Sequence, residues 1–263
     1  MGKVFAIMSG KGGVGKSTVA AALGQYYAAS GLSAVVLDGD TGLRCADLML
    51  GAQDQVLYDL GDVIEKKCEL EQALVKISGV ERLEMLAAPQ MRKPSELKPK
   101  NVGRLVEILS EKKDVVILDA PAGIGRGLKN LLGAAAEPLI VATPDDVSVR
   151  DAEKLGMLLN EREEPRPMIA FNRVDRALVR RGEMAAPAAL AQALDMPLMG
   201  ILPESRNVYR ALLRRKRVMA CGDEQFIRAV GILAERMLGR EAALPVYEVS
   251  PILRFFNRGG ISL

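Results

Sequence analysis

Residues 3–18 leave this chain few choices of fold. Lys3-Val4-Phe5-Ala6-Ile7-Met8-Ser9 reads as a buried strand. Gly10-Lys11-Gly12-Gly13-Val14-Gly15-Lys16-Ser17-Thr18 follows without a spacer, and Val19 to Gly24 opens an apolar helix. Gly10, Gly15, Lys16 and Ser17 fit G-x-x-x-x-G-K-[ST], the phosphate-binding loop, in the strand–loop–helix context the motif requires. Glycines remove Cβ atoms, so the loop can curl and turn successive backbone N–H groups toward an anion. The helix starting near Gly15 adds unpaired N–H groups and the positive end of its dipole. Lys16 brings a mobile cation to the outer phosphates. The Ser17 hydroxyl is a hard oxygen ligand of the kind Mg²⁺ prefers. A glycine-rich turn capping an ordinary strand–helix unit is the bland alternative, and it leaves the agreement of pattern and context unexplained.

The rest of the composition narrows the chemistry. With 263 residues, 49% of them apolar, the chain can build one large α/β domain. There is no histidine and no tryptophan. That removes His general bases, His metal ligands and Ser-His-Asp triads together. Cys45, Cys68 and Cys221 are too far apart in sequence for a C-x-x-C pair, and read as reduced thiols of a cytoplasmic protein. The net charge of +3 is too mild to point to a nucleic-acid partner. No signal peptide and no apolar run long enough to span a bilayer are expected.

Further strands carry the remaining polar groups. Residues 33–38 form an apolar run ending in Asp38-Gly39-Asp40, and carboxylates at such a strand end stand where open α/β sheets bind ligands. Asp40 can orient a water near a terminal phosphate, bind Mg²⁺ through water, or simply form a turn with Asp38. Residues 114–119 end in Asp119, the Walker B arrangement that offers Mg²⁺ a direct or water-mediated carboxylate. Residues 137–144, 167–173 and 197–204 read as three more strands, and 82–88 as another. Asn172 offers both donor and acceptor, so it can pair with an adenine edge. Helices are expected over 16–30, 56–65, 70–74, from a Ser95 cap to Lys112, from 145 with Ser148 as N-cap, and over 223–238. The chemistry-bearing residues thus gather at strand ends of a single doubly wound, mostly parallel sheet with helices on both faces.

KGGVGKST resembles the deviant Walker A loop of the MinD/ParA ATPase family, P-loop NTPases of the SIMIBI type. In that family the early lysine, Lys11 here, crosses a dimer interface to the partner's nucleotide. DGDTGLRCADLMLG resembles the first switch of its MinD branch, with Asp38, Asp40, Gly42, Leu43, Arg44 and Asp47 matching and Cys45 standing where Asn is usual. DAPAGI resembles the second switch, where the Gly123 N–H senses the γ-phosphate; Gly125 stands where Glu is common. Asn172-Arg173 and Pro203-Glu204 match the adenine side. The resemblance implies ATP and Mg²⁺ as cofactors, with Lys11, Lys16 and Asp40 acting in hydrolysis. Gly10 to Thr18, Gly123, Asn172, Arg173, Pro203 and Glu204 would hold the nucleotide, and Ser17, Asp38, Asp40 and Asp119 the metal. It also implies an ATP-bound homodimer, a MinC-like inhibitor, a MinE-like or other activator, and a part in placing the division septum. A ParA-like or flagellar-placement scaffold is the rival reading; an iron–sulfur carrier would need clustered cysteines.

The tail carries its own signal. Residues 1–238 read as the ATPase domain, 239–250 as a tether, and 251–263 as an amphipathic segment. As a helix, Ile252, Phe255 and Phe256 share one face with Leu253 beside them, and Arg254 and Arg258 flank it. This is the composition of a cationic membrane-surface helix, and it resembles the C-terminal membrane-targeting sequence of the MinD branch. Four buried apolar side chains contribute about 6–12 kcal/mol, while ordering eight residues costs about 8–16 kcal/mol. One tail is therefore marginal on an anionic membrane. Two tails on a dimer gain about 10²–10⁴-fold in avidity. The expected location is the cytoplasm and the inner face of the cell membrane. The basic run Arg210, Arg214, Arg215, Lys216 and Arg217 reads either as a solvated helix face or as a hold on anionic lipid or DNA.

Overall fold

β1 (Lys3–Met8) belongs at the middle of a sheet because both of its faces are apolar: Phe5 and Ile7 enter one core, Ala6 and Met8 the other. The computed structural model describes residues 1–40, 44–89, 98–123, 136–161 and 165–247. The other strands are β2 (Ala34–Asp38), β3 (Leu74–Lys76), β4 (Leu83–Leu86), β5 (Val115–Asp119), β6 (Glu137–Ala142), β7 (Met168–Val174) and β8 (Leu198–Pro203). Among the described residues the sheet has eight strands in the order β3-β4-β2-β5-β1-β6-β7-β8. Every pairing is parallel except β3 with β4. The chain winds outward from β1 through β2, returns in β5, then crosses to β6, β7 and β8. The direction reverses around β1, so the C-terminal ends of β1 and β5 form the crevice where such sheets bind ligands.

Helices cover both faces. On one side lie α1 (Lys16–Ala29), α2 (Ala46–Leu50), a 3₁₀ turn (Val218–Cys221), and two helices from the C-terminal half, α9 (Arg206–Leu213) and α10 (Glu224–Met237). On the other lie α3 (Leu60–Ile64), α4 (Leu70–Ala73), α5 (Pro99–Lys112), α6 (Asp146–Asn160), α7 (Arg176–Arg181) and α8 (Pro187–Ala193). α1 is seated deepest. Its Gly24 lets it touch β2 so closely that a Cβ there would lie 2.6 Å from Val36 Cγ2. Tyr27 stacks on Phe5 and donates its hydroxyl to the Ala234 carbonyl on α10 at 3.1 Å. Among the described residues no helix is long and apolar enough to cross a membrane.

Several expectations need correction. The helix over 56–65 shrinks to α3, because Asp59 caps Gly61 and Asp62 in a capping box, and Leu57 before it is exposed. The helix over 70–74 stops at Ala73, and Leu74 instead begins β3, paired with Leu86. The long helix α5 starts at Pro99, whose missing N–H would have no partner there; Ser95 lies outside the described residues. α6 is capped by Asp145, not Ser148. Asp145 accepts from the Ser148 N–H, and buried Ser148 turns its hydroxyl to the Thr143 N–H at 2.9 Å. Past the expected boundary at 238 the chain stays packed: Leu244 and Tyr247 lie on the second core, and Arg236 donates to the Ala242 carbonyl. Thr41, Gly42, Leu43, Gly125 and the segment 251–263 with Ile252, Leu253, Arg254, Phe255, Phe256 and Arg258 lie outside the described residues.

Candidate nucleotide site

The loop after β1 curls as its glycines allow. Gly13 and Gly15 take φ of 83° and 92°, in the left-handed region, and Gly15 is the N-cap of α1. A Cβ on Gly15 would sit 2.3 Å from Asn172 Nδ2, and one on Gly10 would meet the Asp151 backbone. Around Gly12 and Gly13 a Cβ would meet nothing within 4 Å, and both glycines are exposed. α1 therefore presents its unpaired N–H groups at the loop's end, an arrangement that favours an anion.

Lys16, the first residue of α1, is buried, and its ammonium lies 2.5 Å from Asp119 Oδ1 and 3.4 Å from Ser17 Oγ. Asp119 is fully buried at the end of β5, and its Oδ2 has no hydrogen-bond partner. A buried carboxylate oxygen left open beside an ammonium and a hydroxyl suits a hydrated hard cation. This donor set of Ser17 and Asp119 fits Mg²⁺ carried in on phosphates. Among the described residues no group of three or more His, Cys, Asp or Glu side chains could hold a metal ion.

Asp38 ends β2 and pairs in register with Asp119. Its two oxygens accept from the Asp40 N–H at 2.9 Å and the Ala46 N–H at 3.0 Å. It therefore pins both ends of the segment between β2 and α2. Burial, and then the charge of Asp119, push its carboxyl up to about 7. Asp40 is half-buried. Burial raises its carboxyl above the usual range while the Lys16 ammonium pulls the other way. Cys45 stands at the N-cap position of α2; burial and the carboxylates of Asp38, Asp40 and Asp119 push its thiol up. Arg44 Nε reaches Asp47 Oδ2 at 2.7 Å.

The remaining expected residues also come to this end of the sheet. Lys11 reaches Asp145 Oδ1 at 3.4 Å, so within one chain the loop's early lysine leans on the cap of α6. Burial works against ionisation of Asp145, yet hydrogen bonds from Thr143 and Ser148 and the Lys11 ammonium bring it below the ordinary carboxylate range. The Gly123 N–H donates to the Ser9 carbonyl at 2.9 Å, with Gly123 at φ 85°. Asn172 lies inside β7, nearly buried, and its amide donates to the Val14 carbonyl at 2.8 Å. It braces the loop. Arg173, at φ 57°, lies with its Nε 3.9 Å from Glu204, and the Glu204 N–H donates to the Val174 carbonyl. Asn172, Arg173, Pro203 and Glu204 therefore border one corner at the ends of β7 and β8. Sequence reasoning missed two groups. Ser9 has its buried hydroxyl unpartnered beside the loop, and Asp145 anchors Lys11. Their roles could not be read from the sequence, because each depends on a contact distant along the chain.

Fold and site together define a P-loop nucleotide-binding protein. Residues 5–218 match the family model described as the CobQ/CobB/MinD/ParA nucleotide binding domain. The septum site-determining protein MinD of Bacillus subtilis is 34% identical over 251 residues, covering 94% of this chain and 93% of that one. Among solved structures, the MinC:MinD cell division protein complex of Aquifex aeolicus aligns with a TM-score of 0.83 at 29% identity, over 94% of this chain and 99% of that one. The Pyrococcus horikoshii MinD complexed with Mg-ADP aligns at 0.79 and 26%, over 90% and 96%. The chain belongs to the MinD family of P-loop ATPases.

Proposed function

We propose that this chain is a MinD-like switch. It binds ATP with Mg²⁺, pairs with a second copy, attaches to the cytoplasmic face of the membrane through its C-terminal segment, and lets go after hydrolysis. The observation that carries this reading is the buried Lys16 ammonium held against Asp119 at the mouth of the glycine cradle. Phosphate oxygens offer Lys16 a second anionic partner. Mg²⁺, when bound, would supply charge neutralisation at the outer phosphates, with Ser17 and Asp119 as the residues that would hold it. Asp38 anchors the backbone at Asp40 and Ala46 on either side of the first switch. Asp40 orients the attacking water. The Gly123 N–H exchanges the Ser9 carbonyl for the γ-phosphate, which makes the second switch sensitive to that group. Lys11 leaves Asp145 and reaches the partner's nucleotide, so pairing and triphosphate binding become one event.

The septum-placing role is supported by the names of the Bacillus relative and its kin, and a MinC-like partner by the Aquifex complex. An activator of the MinE kind is the expectation the sequence motifs carry. The test is sedimentation with anionic vesicles in ATP and in ADP. ATP is expected to carry the protein into the pellet. Replacing Phe255 and Phe256 by Asp should return it to the supernatant, and pelleting that survives this change would overturn the tail's assignment.

A further inference from the structure

α9 turns a face outward that the nucleotide site does not use. Arg206, Tyr209, Arg210, Leu213 and Arg214 recur at i, i+3, i+4, i+7 and i+8, one side of a helix, while Val208 and Ala211 are buried on the other. All five are exposed, Tyr209 and Leu213 at 66% each. Lys216 and Arg215 extend the positive ground beyond the helix. Arg217 does not, because it folds back onto the Ser78 carbonyl. Of the acids nearby, Asp54 lies beside Arg215 and offsets part of its charge, while Glu204 lies beside Arg173 and Asp223 on the Ser205 hydroxyl. Among the described residues Arg206, Arg210 and Arg214 make no ion pair.

The mixture matters more than the charge. A phosphate backbone rewards cations but gives an exposed leucine nothing. A leucine and a tyrosine ringed by arginines suit a bilayer interface, where the apolar groups enter below the headgroups and the cations stay among them. Arg206 and Tyr247 also line one cavity of about 830 Å³, so the first turn of α9 and the last described residue before the tail border the same hollow. Tyr247 therefore lies close to the first turn of this helix.

The geometry points to α9 as a second membrane contact, a face that reads anionic lipid headgroups in addition to the tail's anchor. Tyr209 and Leu213 enter the interface; Arg206, Arg210, Arg214 and Lys216 pair with headgroup phosphates. This rests on the reading of 251–263 as a membrane segment, so the experiment separates the two. The full chain with a non-hydrolysable ATP analogue is titrated against phosphatidylcholine vesicles with and without phosphatidylglycerol. Arg210→Glu/Arg214→Glu should weaken binding to the anionic vesicles by about tenfold or more and flatten the preference over neutral ones. Leu213→Gln should weaken binding while keeping the salt dependence. Nucleotide binding and the melting temperature should match the parent. Wild-type binding by the double-arginine variant would overturn the inference and leave the tail reading standing. Loss of duplex DNA binding with vesicle binding intact would do the same and assign the face to nucleic acid. If Phe255→Asp/Phe256→Asp still pellets while the arginine variant does not, the tail reading fails and this one stands. If the parent binds neither vesicle, both fail.

Discussion

Lys16 and Asp119 are each almost wholly withdrawn from water, so neither tolerates losing the other. Removing one partner of such a pair leaves a buried charge and costs about 3–5 kcal/mol. Lys16→Ala is therefore expected to lower the unfolding free energy measured in urea by that much and to abolish binding of a fluorescent ATP analogue. Unchanged affinity would remove the phosphate-loop assignment. Asp38 gives the pH dependence. Its carboxyl lies at about 7 in the folded chain against an ordinary 3.8. The folded state thus holds a proton that the unfolded state releases earlier, and this contribution is full below the ordinary value and lost as pH rises through about 7. The nucleotide-free protein should melt at lower temperature at pH 8 than at pH 5, and Asp38→Asn should flatten that slope in a calorimetric series. The residues of these effects were legible in the sequence, since Lys16, Asp38 and Asp119 fall at fixed places in motifs. The roles of Ser9 and Asp145 were not, because a carbonyl that receives Gly123 and a cap that receives Lys11 leave no spacing to read.

The strands of the central sheet were plain at the level of elements, since β1, β2 and β5 are apolar on both faces and end in polar turns. Short helices were harder. Capping by Asp59 and by Asp145 decides where α3 and α6 begin, and those side chains compete with equally good neighbours such as Ser148. β3 escaped notice because three residues carry too little pattern, and only its antiparallel partner β4 makes it a strand. Close packing was also invisible. Gly24 in mid-helix looks like a defect worth about 1 kcal/mol against Ala, yet it is what seats α1 on β2. Gly24→Ala should lose more through overpacking against Val36 and Leu83 than it gains in helix propensity, a net loss of about 1–2 kcal/mol in urea unfolding. A stabilised variant would show that α1 has room to spare.

For the whole molecule, the switch elements all end at one edge of the sheet. The cradle, the two aspartate-ending strands, the cap that holds Lys11 and the corner beside Arg173 converge there, and Gly123 and Lys11 spend their polar groups on Ser9 and Asp145 within a single chain. The Lys11–Asp145 contact is long and partly exposed, and under the proposed mechanism both contacts give way to phosphate. A second copy facing this edge would complete the site, and two tails would then hold where one does not. The most direct test is the mass of the full chain in solution by light scattering, with a non-hydrolysable ATP analogue and Mg²⁺ at saturation. The account predicts a dimer that reverts to monomer in ADP, and that Lys11→Ala cannot form. A chain that stays monomeric with the analogue bound would contradict it.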